Sequence, residues 1–367
     1  MLQKHCEKFQ FSNLITNLIF KESNEASCLK LASVAAFIVS ELSLNINRIL
    51  KPFNPILGET FEYFDNDKKF RYLAEQVSHN PPITAYICES EEFVIFADTR
   101  CKSKFKILKG AMEINFLNRV NIMFKASNQH FRYKLPTMFL KGLIYGTPHY
   151  DYEGVCEITS HKNSNGNKAV LEFFEEGWSK PLGSVEGKIL NEKGEISYFL
   201  KGQWNYGLYL IEANGKDISI LKNIDIKNIN NNNDGLKITE LWRIDENEDY
   251  YKKLDNNNYK LSKYAYNLNN LDEGLIKVLP KCDSRLRPDQ RLLENRIMDK
   301  AEEGKKILEE NQRQRHKEFE RNKIKYEPSY FSEILDDKSK ELIYLYKGGY
   351  WEDRTSNNFS RCHDIFN

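Results

Sequence analysis

Between residues 61 and 244 the apolar residues fall in short runs divided by turn formers. Residues 61–64 end at Asp65-Asn66-Asp67, residues 70–74 follow, and residues 93–97 and 169–174 repeat the pattern. Aromatic and β-branched runs punctuated by Gly and Asn clusters at roughly 8–12 residue spacing predict an antiparallel meander or barrel. The runs do not alternate with long helical patterns, which argues against a doubly wound α/β fold. Before the strands, Phe11, Leu14, Ile15, Leu18 and Ile19 follow i, i+3, i+4, i+7, i+8 spacing. That stripe predicts an amphipathic helix, either docked on the core or serving as a lid or membrane-touching element. A second, more apolar helix is predicted from residue 26 to 42.

After the strands the pattern turns helical again. Residues 289 to about 325 are highly charged, lack Pro and are rich in helix formers. They predict one long surface helix or two in series, with Gly304 as a candidate bend. The Asn-rich tracts 228–234 and 256–258 predict solvated loops. The tail is aromatic (Tyr330, Phe331, Tyr344, Tyr346, Tyr350, Trp351), and Gly348-Gly349 predicts a terminal turn that packs back on the strands. An aromatic membrane patch is the alternative reading of that tail.

Composition narrows the partners. In 367 residues, hydrophobic residues make up 40% and charged residues 29%, which fits a globular chain. A formal net charge of +1 argues against a broad nucleic-acid footprint and against membrane binding by bulk charge alone, so any anion site must be local. The 20 Tyr and 22 Phe favour strands around a large apolar interior. The seven cysteines are odd in number and form no C-x-x-C pair. This argues against a disulfide framework and a structural zinc site, and makes a reducing cytosol the simplest compartment. No metal or cofactor is expected. The longest mostly apolar run, residues 29–42, is interrupted by polar residues and is shorter than the ~20 needed to span a bilayer.

Four segments carry candidate chemistry. In the first, Lys51-Pro52-Phe53-Asn54-Pro55-Ile56-Leu57-Gly58-Glu59, two prolines stiffen the path and aim Lys51 and Asn54. The second is Glu75-Gln76-Val77-Ser78-His79-Asn80-Pro81-Pro82, where the prolines stop strand pairing just after two hydrogen-bonding side chains. The third, Leu279-Pro280-Lys281-Cys282-Asp283-Ser284-Arg285-Leu286-Arg287-Pro288-Asp289, offers Asp289 as a helix N-cap. In the fourth, Lys305, Glu309 and Arg313 are spaced i, i+4, i+8 and share a helix face, drifting by about 40°. Glu309 is placed to pair with Arg313. By spacing alone this is a solvated face; the functional alternative is two cations set by a carboxylate to grip a phosphate.

The four segments resemble, in order, the K-P-x-N-P-x-L-G-E, E-Q-V-S-H-H-P-P, L-P-x-x-D-S-R-x-R-P-D and K-x-x-L-E-x-x-Q-R motifs of the oxysterol-binding protein family. The resemblance covers residues 46 to 322. It implies an α+β, mainly β fold: an incomplete antiparallel β-barrel around an apolar lipid tunnel, with an N-terminal helical lid region (residues 1–45) and C-terminal helices within a lipid-binding domain of residues 46–367, one domain overall. It implies a monomeric cytoplasmic carrier, peripheral and transient on membranes. Such a carrier would exchange a sterol or phospholipid against phosphatidylinositol 4-phosphate. Sterol and phosphatidylserine both suit the tunnel. The head-group site implied is Lys51, Asn54, His79, Asn80, Lys305, Glu309 and Arg313.

In that site Lys51, His79, Lys305 and Arg313 would supply positive charge, Asn54 neutral hydrogen bonds, and Glu309 orientation. Asn80 departs from the family pattern, which has a second histidine there. Asparagine donates hydrogen bonds but cannot become cationic, so phosphate binding is expected to be weaker and less pH-dependent. Two rival readings remain at this stage. One is a lipid sensor without net transfer. The other is a lipid hydrolase using His79 with Glu59 or Glu75, against which stands the absence of G-x-S-x-G, H-E-x-x-H, P-loop and G-x-G-x-x-G motifs.

Overall fold

The structure, a computed structural model, describes residues 1–16, 26–48, 53–162, 166–178, 180–213, 224, 226, 236–244, 261–336 and 339–367. Fifteen strands form one antiparallel sheet: β1 (Thr60–Asp65), β2 (Phe70–Ser78), β3 (Ile83–Ser90), β4 (Phe93–Asp98), β5 (Cys101–Lys106), β6 (Ala111–Phe116), β7 (Val120–Phe124), β8 (Gln129–Tyr133), β9 (Thr137–Lys141), β10 (His149–Lys162), β11 (Lys168–Phe173), β12 (Ser184–Leu190), β13 (Ile196–Gln203), β14 (Gly207–Glu212) and β15 (Ile238–Arg243). The pairing order is β1-β2-β3-β4-β7-β8-β10-β11-β12-β13-β14-β15, so β1 and β15 are the two ends of an open barrel. All four runs singled out in the sequence fall on strands, the last overrunning β11 by one residue.

In β2 and β3 apolar residues occupy both faces because both faces are covered. Along β2, Phe70, Tyr72 and Ala74 point into the barrel, while Leu73 and Val77 face outward under the C-terminal tail. Period-2 alternation places successive side chains on opposite faces, and here each face has its own apolar partner. On the outer face, Tyr330 and Tyr350 are fully buried beside the hairpin β16 (Phe331–Leu335) and β17 (Leu342–Tyr346). The aromatic tail is therefore a second core and not a membrane patch.

The barrel interior is filled from the N-terminus. Helix α1 (Leu2–Cys6), a 3-10 turn (Glu7–Phe11) and α2 (Asn13–Thr16) bury Leu2, Cys6, Phe9 and Ile15 in the same core as Phe61, Tyr72 and Tyr86. Of the predicted amphipathic stripe, Phe11 ends the 3-10 turn and Leu14 and Ile15 lie in α2, all packed on this core, while Leu18 and Ile19 lie outside the described residues. Helix α3 (Ala26–Ser43) is apolar nearly all round, as a helix inside a barrel must be. Both Asn-rich tracts also fall outside the described residues. Two short helices follow the strands, α4 (Lys263–Asn267) and α5 (Glu273–Ile276).

The charged segment forms two helices in series, α6 (Pro288–Glu294) and α7 (Met298–Arg321), with Arg296 at φ +62° in the break. Helix α7 runs on through Gly304 without a break. A Cβ there would meet Asp289 Cβ at 3.3 Å, so the glycine lets α7 cross close over α6. The chain ends in α8 (Tyr350–Ser356) and a short tail.

Strand directions fix which loops share an end of the barrel. The register places Ser78 beside Ile83, Ala85 beside Asp98, and Val120 beside Tyr133. The β2–β3 turn (79–82) and the exits of β4 and β8 are therefore at one end. From that end β5, β6, β9 and the first half of β10 continue as a flap, paired β5-β6-β9-β10. No helix among the described residues is long and apolar enough to cross a membrane.

Candidate functional site

The first and third sequence segments are knitted together at the start of β1. Thr60 N–H donates to Cys282 O at 2.9 Å, bridging the third segment to the first residue of β1. Glu59 is fully buried. One carboxylate oxygen accepts from Ser284 Oγ (2.5 Å) and the other from Ile56 N–H (2.9 Å) and Arg287 Nη1 (3.0 Å). Arg287, itself 1% exposed, also donates to both oxygens of Asp289 and to the carbonyl of Asn54 (2.7 Å). Asp289 is therefore not the N-cap expected of it. It is the second helical residue, and Pro288 occupies the first position, where its missing N–H costs nothing. A buried charge network of this completeness holds a loop in one shape, because removing one partner strands the others.

Glu75, in the second segment, serves the same end. Its carboxylate accepts from Ser329 N–H (2.7 Å) and Tyr330 N–H (2.9 Å), anchoring the tail to β2. Burial pushes this carboxyl up to about 7, against the lowering effect of those two donors. Both carboxylates named as hydrolase candidates are thus committed to structural bonds. Ser78 ends β2, with His79 and Asn80 exposed in the turn after it.

Helix α7 closes the arrangement through Gln312, which is 5% exposed. Its Oε1 accepts from Leu57 N–H at 2.7 Å, and its Nε2 lies 2.7 Å from His79 Nδ1. One side chain thereby clamps the first, second and fourth segments. The acceptor role of Oε1 fixes the amide orientation, so Nε2 donates to an unprotonated ring nitrogen of His79, lying 2.7 Å from Nδ1 and 3.1 Å from the ring Nε2. The His79 pKa is lowered accordingly: desolvation is the main cause, His316 and Arg313 add to it, and Glu309 opposes it. The ring expected to bring positive charge is instead held toward its neutral form.

The remaining candidates fall around this clamp. Asn54 is exposed beside Phe53, whose ring lies 5.3 Å from Lys305 Nζ and 5.7 Å from Arg287 Cζ. Lys305 stands 3.7 Å from Glu309, on the shared face that the spacing predicted. Arg313 pairs with Glu310 at 2.8 Å and not with Glu309. An i, i+3 partner competes directly with the i, i+4 one on a helix surface, and here it wins. Lys51 lies outside the described residues. Gln312 is the residue that sequence reasoning missed. It was visible as the Q of the fourth motif, but an uncharged side chain offered no chemistry to single it out. Among the described residues no cluster of His, Cys, Asp or Glu has the geometry of a metal site. A surface cavity of about 460 Å³, lined by Trp351, Glu352, Thr355 and Ser356, includes none of the candidates.

Comparison with known proteins places this arrangement. The sequence model of the family described as "Oxysterol-binding protein" matches residues 1–355. The chain is 31% identical over 377 positions to oxysterol-binding protein homolog 1 of Saccharomyces cerevisiae, covering 100% of this chain and 30% of the relative. It is 30% identical over 362 positions to human oxysterol-binding protein-related protein 6, covering 98% and 35%. The chain spans about a third of the length of these curated relatives. Among solved structures, the Osh1 ORD domain in complex with cholesterol superposes with a TM-score of 0.85 at 29% identity, covering 98% of this chain and 82% of that one. The Osh3 ORD from Saccharomyces cerevisiae in complex with PI(4)P gives 0.78 at 27% identity, covering 99% and 87%.

Proposed function

Because the chain belongs to the oxysterol-binding protein family, we propose that it is a lipid carrier. It takes a sterol or phospholipid into the barrel and exchanges it for phosphatidylinositol 4-phosphate, whose head group sits at the Gln312 clamp. The observation that carries this reading is the clamp itself. It draws three sequence segments, with Lys305, Arg313 and His79, to one end of an apolar barrel. An amphiphile with an anionic head needs that junction: cations that stay wet when the site is empty, next to an interior that stays dry. The relatives solved with cholesterol and with PI(4)P support both halves of the exchange.

In this proposal Lys51, Lys305 and Arg313 meet phosphate as cations, while Asn54, Asn80 and His79 act as neutral donors. Glu309 orients Lys305. Residues 1–45 and 46–367 act as one domain, and the carrier works as a cytoplasmic monomer on membrane surfaces, without a catalytic step. Native mass spectrometry after incubation with vesicles tests the reading. The wild type is expected to retain one phosphatidylinositol 4-phosphate or one sterol, never both. Asn80→His is expected to tighten phosphoinositide retention about 5–30-fold, the worth of one charge-assisted hydrogen bond. Absence of either adduct from the wild type would refute the proposal.

A further inference from the structure

The flap that extends the barrel wall past the His79 end carries an apolar tip that nothing described so far uses. Its first loop (107–110) exposes Ile107 at 75% and Leu108 at 104%. Its second (142–148) exposes Leu143, Ile144 and Tyr145, the last at 89%. The loops are built as one unit. Leu143 N–H donates to Gly110 O at 3.1 Å, and Ile144 packs over the Gly110 backbone. Gly142, at φ +74°, is required here, because a Cβ would meet Thr147 O at 2.4 Å. Lys109 reaches Glu175 at 2.8 Å, tying in a third loop whose Trp178 is fully exposed.

Large apolar side chains clustered at a braced tip in water are the mark of a contact surface. The charge beside them selects the partner. Residues 101–110 hold Lys102, Lys104, Lys106 and Lys109 and no acid. Lys106 and Lys109 are paired with Glu113 and Glu175, whereas Lys102 and Lys104 are exposed and make no ion pair among the described residues. A second copy of the chain would set this cationic strand against its own like. An anionic bilayer would take the apolar tip into its interface and neutralise the lysines at its surface.

We propose that the tip formed by Ile107, Leu108, Leu143, Ile144, Tyr145 and Trp178, flanked by Lys102 and Lys104, docks the protein on an anionic lipid bilayer. Because strand direction puts the flap at the same end as the His79 turn, docking there brings the proposed lipid site to the membrane. The inference rests on the carrier reading for its purpose but not for its test.

The test is co-sedimentation with vesicles of phosphatidylcholine, alone or with phosphatidylserine, containing neither sterol nor phosphoinositide. Circular dichroism and sedimentation velocity run alongside. The wild type is expected to bind the mixed vesicles more strongly than phosphatidylcholine alone. Leu108→Asp with Ile144→Asp is expected to lower the partition about tenfold or more, since each side chain loses its transfer into lipid. Lys102→Glu with Lys104→Glu is expected to abolish the preference for phosphatidylserine. Lys193→Ala, exposed in the β12–β13 turn at the opposite end of the sheet, is expected to sediment as the wild type does. Because the vesicles hold neither sterol nor phosphoinositide, failure of the head-group site leaves this result intact. Wild-type binding by the folded Asp double variant would overturn the proposal. So would a wild-type dimer that the Asp variant dissolves, because the tip would then be a contact between copies.

Discussion

At the scale of single residues, the motif positions divide into those that build the site and those that face outward from it. Glu59, Glu75, Arg287 and Asp289 are buried and fully bonded, whereas Asn54, His79, Asn80 and Arg313 are exposed. Glu75 makes this division measurable. Its folded carboxyl holds a proton up to about 7, and its ordinary value is 4.5. Between those values the folded chain binds more protons than the unfolded one, so stability falls as pH rises. The contribution is complete below about 4.5 and lost above about 7. The Tm of the wild type, compared with that of Glu75→Gln from pH 5 to 8, is expected to carry an extra downward slope that the variant lacks. Equal slopes would show that the carboxyl titrates normally. The sequence revealed which residue types gather here but not their pairings. Arg313 turned to Glu310, Asp289 to Arg287, and His79 to Gln312, because each choice depends on a neighbour's position in space.

At the scale of elements, the strands were the most legible part. Their apolar runs stand out against turn residues, the more so in β2 and β3, where both faces are covered. The N-terminal stripe was legible only in part: Phe11, Leu14 and Ile15 pack on the core as a docked helix would. Ahead of them, α1 and the 3-10 turn bury Leu2, Cys6 and Phe9 in the same barrel, and no stripe in the sequence announced them. Helix α7 is a positioning element, and Gln312 is its working point. Gln312→Leu is expected to cost about 1–3 kcal/mol, because Leu57 N–H loses its acceptor, and to lower the urea midpoint accordingly. Gln312→Glu keeps an acceptor for Leu57 and is expected to fold nearly as well as the wild type. It sets a carboxylate against His79, so it is expected to raise the histidine pKa, read by NMR titration, and to weaken phosphoinositide binding. If both variants titrate and bind like the wild type, the clamp is incidental.

At the scale of the whole molecule, the open barrel, its buried N-terminal plug and the flap could not be read from local pattern. Pairing order is set by contacts far apart in sequence, such as β4 with β7 and β8 with β10, and periodicity carries no trace of them. The resemblance carried by four ordered motifs supplied what periodicity lacked, and it did so because those motifs converge on one end of the barrel. The account's central claim is that this convergence serves lipid exchange. A two-vesicle flux assay tests it most directly, with labelled phosphatidylinositol 4-phosphate in one population and labelled sterol in the other. Exchange predicts that each lipid moves faster when the other is present in the opposite membrane. It also predicts that Lys51→Ala and Arg313→Ala abolish phosphoinositide movement while sterol pickup persists. Failure of the wild type to move the phosphoinositide, or sterol flux indifferent to it, would contradict the account.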